Sequence, residues 1–77
     1  MTKEELRNHE EYRLCMNKIK AYKPGFEFTI NFSSIPKAKA NALKIILKDA
    51  IDVGLLKSIA LGLSITGEFV DETFRRI

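Results

Sequence analysis

From Lys57 to Ile65 the chain alternates without a break, with Ile59, Leu61, Leu63 and Ile65 on one parity and Ser58, Ala60, Gly62 and Ser64 on the other. A strand sends successive side chains to opposite faces, so this segment is expected to be a strand with one fully apolar face. The small residues of the other face would let a helix or a second backbone approach closely. Phe26 to Phe32 repeats the pattern: Phe26, Phe28, Ile30 and Phe32 share one face, and Glu27, Thr29 and Asn31 share the other. Three phenylalanines on one strand face are expected at the centre of the core.

Helical signals fill the intervals. Thr2-Lys3-Glu4-Glu5 has the form of a capping box, and the helix it opens should run to about Tyr22, before the breaker pair Pro24-Gly25. Tyr12, Cys15, Met16, Ile19 and Tyr22 fall on one stripe of that helix. Leu6 and Leu14 fall off it and are candidate contacts for a protein partner. A second helix is expected from Ser34 as N-cap, with Pro36 in its first turn, to about Val53, where Gly54 can take the left-handed C-cap conformation. Its apolar side is Ala42, Leu43, Ile46, Leu47, Ala50 and Val53, which makes strand, helix and strand a βαβ unit. Phe28, Ile30, Leu43, Ile46, Leu61 and Leu63 are expected to be buried together.

The segment from Thr66 to Ile77 has two forms. As a helix it gathers Phe69, Val70, Thr73, Phe74 and Ile77 in an arc of about 140°, with acidic residues early and Arg75 and Arg76 late, in the sense the helix dipole favours. As a strand it would pair with the preceding one through a Thr66-Gly67 turn, which sets Glu72 against Leu61. The helix is preferred. The expected fold is therefore a single α+β domain over residues 1–77, in the order α-β-α-β-α with a two-stranded sheet; the alternative is α-β-α-β-β with a C-terminal hairpin.

Seventy-seven residues make a small core, for which oligomerisation is one route to stability. Two open strand edges add to the case for a homodimer, with the first strand and its polar Glu27/Thr29/Asn31 face as the expected pairing edge. The charged N-terminus lacks an apolar signal region and no apolar run is long enough to span a bilayer. Cys15 is the single cysteine. A cytoplasmic protein with no membrane association is expected. The net charge is +3, but positive charge concentrates between Arg13 and Lys57, which points to an acidic or phosphate-bearing partner.

Catalytic, metal and cofactor chemistry have no visible constellation. His9 is the single histidine and its spacing from Cys15 does not align the two on one helical face, so no nucleophile–base pair forms. One His and one Cys cannot build a structural zinc site, and the glycines are isolated rather than gathered in a phosphate-binding loop. Lys37, Asn41, Lys44 and Lys48 fall within about 60° around the second helix, a basic stripe suited to an acidic surface or a phosphate backbone.

Phe28-Thr29-Ile30-Asn31-Phe32 followed by a helix resembles the ribbon-helix-helix family. Leu61-Gly62-Leu63-Ser64 ahead of Phe69-Val70-Asp71-Glu72-Thr73-Phe74-Arg75-Arg76 is similar to that family's turn and second helix. The resemblance implies a dimeric ribbon reading DNA through Glu27, Thr29 and Asn31. It departs from the family in the long interval from Ser33 to Ala60 and in the negative charge of Glu27. The same C-terminal region resembles a helix-turn-helix, with Gly62 as turn glycine and Ser58 as the small residue before it, although Glu68 and Asp71 stand where that motif is apolar. The expected function is a non-enzymatic protein–protein interaction module: a small adaptor, inhibitor or regulatory accessory protein. The alternative is a small nucleic-acid-binding regulator acting through Thr29, Asn31 and the lysine stripe.

Overall fold

The computed structural model describes residues 2–77 as a small α+β domain. In chain order it comprises α1 (Lys3–Arg7), α2 (Glu10–Ala21), β1 (Glu27–Asn31), a 3-10 turn (Phe32–Ser34), α3 (Lys37–Asp52), β2 (Leu56–Leu63) and β3 (Phe69–Arg76). The order α-β-α-β-β is the alternative that the sequence allowed. The preferred C-terminal helix is corrected to a strand, and the two-stranded sheet becomes three-stranded. With it go the second helix of a ribbon-helix-helix and the recognition helix of a helix-turn-helix.

The sheet order is β1-β3-β2, and β3 runs antiparallel to both neighbours. Hence β1 and β2 are parallel to each other, joined through α3, with β3 inserted between them. The β2–β3 loop turns at Ser64–Gly67, where the Gly67 amide donates to the Ser64 carbonyl at 2.9 Å and the Ser64 amide to the Glu68 carbonyl at 2.7 Å. Gly67 takes a φ of +84°, the left-handed residue that follows a type I turn in a three-residue hairpin loop. The strand wins because it carries Phe74 into the centre of the molecule, where it is 1% exposed. The unfavourable position of Glu72 is relieved locally, since the Ser58 hydroxyl donates to its carboxylate.

That relief depends on a bulge. Ser58 pairs with Phe74 and Ala60 with Thr73, which leaves Ile59 without an opposite number. One extra residue reverses the parity of everything after it. Leu56 and Ser58 therefore share a face with Leu61 and Leu63, and Ile59 does not belong to the regular alternation. A second irregularity at Val70 restores Phe69 to the face of Leu63.

The first helix is broken rather than continuous. Asn8 closes α1, and His9 Nδ1 accepts from the Glu11 amide at 3.2 Å as the N-cap of α2. The break turns Leu6 inward to 5% exposure, so Leu6 is a core residue and not an interface residue. Thr2 caps α1 as expected, accepting from the Glu5 amide at 3.1 Å. The second helix starts later than expected: Ser34 closes the 3-10 turn with its hydroxyl on the Asn31 carbonyl, and Pro36 stands at the N-cap of α3.

The helices are fastened to each other by one carboxylate. Asp49 of α3 accepts from Arg7 through both oxygens at 2.9 Å and from the Tyr12 hydroxyl at 2.8 Å. The hydrogen bond from Arg7 is the main reason that the Asp49 carboxyl titrates at about 2. Burial together with the bond to Asp49 raises the Tyr12 hydroxyl above its ordinary value. Beneath this clasp lie Leu6, Ile19, Ala40, Ile46, Leu47 and Ala50, which meet Leu56, Phe74 and Phe32 from the sheet side. No described helix is long and apolar enough to cross a membrane.

Candidate functional site

The helices cover one face of the sheet but stop short of its end. Strand register places side chains on that inner face in rows. Phe28, Phe74 and Ser58 make the first row, and Ile30, Glu72 and Leu61 the second. Phe69 and Leu63 make a third, next to the hairpin loop. In the first row Phe28 stacks on Phe74 at 5.5 Å and meets Tyr22 of the α2 end at 5.3 Å. Toward the loop, cover disappears. Leu61 is 62% exposed, Leu63 64% and Phe69 37%. The expectation that Leu61 and Leu63 join Phe28, Ile30, Leu43 and Ile46 in the core is corrected. Ile46 is buried and Phe28, Ile30 and Leu43 pack against the core, but the two leucines lie on an edge strand beyond the reach of α3.

α3 forms a wall along this open face. Lys44 extends its ammonium over the rings of Phe32 and Phe69, at 5.3 and 5.4 Å from their centroids. Those two rings lie 5.5 Å apart, and the cation is held by the negative faces of both. Lys48 follows one turn later, donating to Asp52 at 3.2 Å. With Lys44, Leu47, Ile51, Glu72 and Phe74 it lines a trough of about 220 Å³ between helix and sheet. Lys37 and Asn41 are exposed near the start of the same helix. Lys44 of the stripe thus overlies the apolar strip at Phe69, a relation that helical spacing alone could not reveal.

Thr29 and Asn31 belong elsewhere. They lie on the outer sheet face, opposite the helices, and their side chains are engaged. The Thr29 hydroxyl shares a 2.7 Å hydrogen bond with that of Thr73, and Asn31 Oδ1 accepts from the Ser33 amide at 3.0 Å. In the same face Arg75 pairs with Glu27 at 2.8 Å. This contradicts a single contact surface made of Thr29, Asn31 and the lysines. β1 also pairs with β3 of its own chain, so one side of the strand expected to form a dimeric ribbon is already taken.

Leu14 is 54% exposed and borders a groove of about 240 Å³ between α2 and α3, with Leu6, Cys15, Ala42 and Leu43 on its walls. Cys15 is half-buried, and burial raises its thiol above the ordinary value, which disfavours the thiolate. Among the described residues no group of three His, Cys, Asp or Glu side chains is placed to hold a metal ion.

Phe69 is the site residue that sequence reasoning missed, because helical periodicity grouped it with Phe74 and Ile77. The available signal was the Thr66-Gly67 turn, which makes Phe69 the first residue of a returning strand. No protein-family model, curated protein or solved structure matches this chain.

Proposed function

We propose that the chain is a non-enzymatic protein–protein interaction module, a small cytoplasmic adaptor, inhibitor or regulatory accessory protein, which holds its partner on the open end of the inner sheet face. The observation that carries this is the exposure of Leu61, Leu63 and Phe69 on the inner face of β2 and β3, with Lys44 of α3 over the Phe69 ring. Isolated exposed apolar residues are ordinary, but a contiguous strip rimmed by polar groups is characteristic of a protein contact. The partner that fits is a protein segment with apolar side chains for the strip and carboxylates for the lysines, because charge of opposite sign at the rim speeds and orients docking. The strip supplies affinity and the lysines supply register.

Capture from an extract of the source cells tests this, comparing wild type with the double substitution Leu61→Asp, Leu63→Asp, whose positions are exposed enough to leave the fold intact. A protein retained by wild type and lost by the variant, with a cross-link mapping to residues 61–69, is the expected result. Protein capture unaffected by the variant would overturn the assignment. Retention of DNA or RNA that falls steeply with salt and disappears when Lys37, Lys44 and Lys48 are replaced by alanine would establish the nucleic-acid alternative instead.

A further inference from the structure

We infer that the free edge of β2 pairs with the β2 edge of a second copy of this chain, antiparallel about Gly62, to make a closed dimer with a continuous six-stranded sheet. The sheet order leaves two edges, β1 and β2, and the two are not equivalent. β1 spans five residues and presents Glu27, held by Arg75. β2 spans eight. Natural edges are guarded by charges, prolines and bulges. The first half of β2 has such guards, in Lys57 and the irregularity at Ile59. From Ala60 to Ser64 the strand itself carries no charge and no proline, Leu61 and Leu63 are 62% and 64% exposed, and the one side chain over the segment is the Asp71 carboxylate, which lies on Gly62 from the outer face.

This unguarded segment is self-complementary. A two-fold axis at Gly62 sets Leu61 of one copy opposite Leu63 of the other, twice, on the helix-bearing face. On the outer face Ala60 meets Ser64 and Gly62 meets Gly62. Apolar residues oppose apolar residues, small residues oppose small ones, and the two copies of Lys57 lie at opposite ends of the junction; the Asp71 carboxylates, each lying over Gly62 on the outer face, flank the axis and are the one like-charged pair the junction has to accommodate. Each copy has one β2 edge, so the association closes on itself rather than propagating. The paired segment is short, which places the interface at the small end of specific contacts and makes the dimer dissociable. Pairing also brings the two open strips side by side on one face, each copy extending the other's site with its own Leu61 and Leu63. The inference stands on the strand edge rather than on the open face, so a monomer leaves the module assignment intact.

Light scattering across a concentration series is the test. The mass should rise from the single-chain 8.8 kDa at about 5 μM toward twice that value at about 500 μM, as a small interface requires. Leu61→Lys should hold the chain at single mass throughout, with far-UV circular dichroism unchanged. In a Cys15→Ser background, a mixture of Leu61→Cys and Leu63→Cys proteins should form a mixed disulfide, since the two positions face each other across the junction, whereas Thr29→Cys should not cross-link. A single-chain mass at about 500 μM, a dimer that survives Leu61→Lys, or cross-linking at position 29 in place of 61–63 would each overturn the inference.

Discussion

The two ends of this sheet have much the same composition and opposite fates. At the end that holds Phe28 and Phe74, helices α2 and α3 close over the strands, and aromatic rings run without a gap from Tyr22 to Phe28 to Phe74. At the hairpin end, Leu61, Leu63 and Phe69 continue the same inner face, and only Phe69 has cover, from the Phe32 ring and the reach of Lys44. Apolar character therefore does not decide burial in a chain this small. The extent of the helices that cover the sheet decides it, and the inner face runs farther than α2 and α3 shield. The covered end is committed to stability, and the open end remains free for contact.

Truncations should expose the difference most strongly. Phe74→Ala removes a side chain that is 1% exposed and should cost ~3–5 kcal/mol in denaturant unfolding. Leu63→Ala in the monomer should cost less than ~1 kcal/mol, because most of that side chain is already in water. Equal costs at the two positions would erase the distinction between the ends.

The clasp at the covered end is expected to come next. Asp49→Asn should lower stability by ~1 kcal/mol near neutral pH, a value reduced by the solvent exposure of the Arg7 end of the pair. The carboxyl is held at about 2 in the folded state, below its unfolded value. Its contribution is fully present above about pH 4 and is lost as pH falls through about 2. The gap between wild type and variant, followed by thermal unfolding at a series of pH values, should close over that window. A gap that stays constant down to pH 2 would remove the clasp from the account.

At the open end, Gly67→Ala forces a side chain into a left-handed conformation with φ of +84° and should cost ~1 kcal/mol. Backbone chemical shifts should localise the disturbance to the hairpin and leave α2 and α3 untouched. The smallest effect is expected on the outer face, where Thr29→Val loses an exposed hydroxyl pair with Thr73. That change should stay within ~0.5 kcal/mol by denaturant midpoint, and a larger loss would show that the outer face contributes more than its solvation implies.

Much of the architecture was legible in the residues, and the failures have local causes. The alternation around Phe28 located β1, the Ser33–Gly54 interval located α3, and Thr2 capped the first helix as its capping-box pattern implies. The break at Asn8–His9 was hidden because His9 takes a capping role more often held by Ser, Thr, Asp or Asn, and Leu6 was misplaced with it. The C-terminal segment satisfied helical and strand periodicity at once, and only the burial available to Phe74 between two strands separates them. The bulge at Ile59 leaves no trace in composition. It moves Ser58 to the side of Glu72, which turns an apparent conflict with the strand into a hydrogen bond. Of the candidate site, the lysines were visible as a stripe, while their apolar counterpart was concealed because Leu61 and Leu63 looked like core.

The position of β3 in the sheet bears on how the molecule is made. β3 is the last strand in chain order yet the central one in space, and within the chain neither β1 nor β2 has another strand to pair with. During synthesis the helices can form as they emerge, but the sheet has no nucleus until residues 69–76 have left the ribosome. Until then β1 and β2 stand as two unpaired strands waiting on one late arrival, with every strand contact non-local for β1. Assembly is accordingly a single closing step, in which the incoming strand zips into the slot between its neighbours. A chain arrested before Phe69 would hold the helices and lack the sheet altogether.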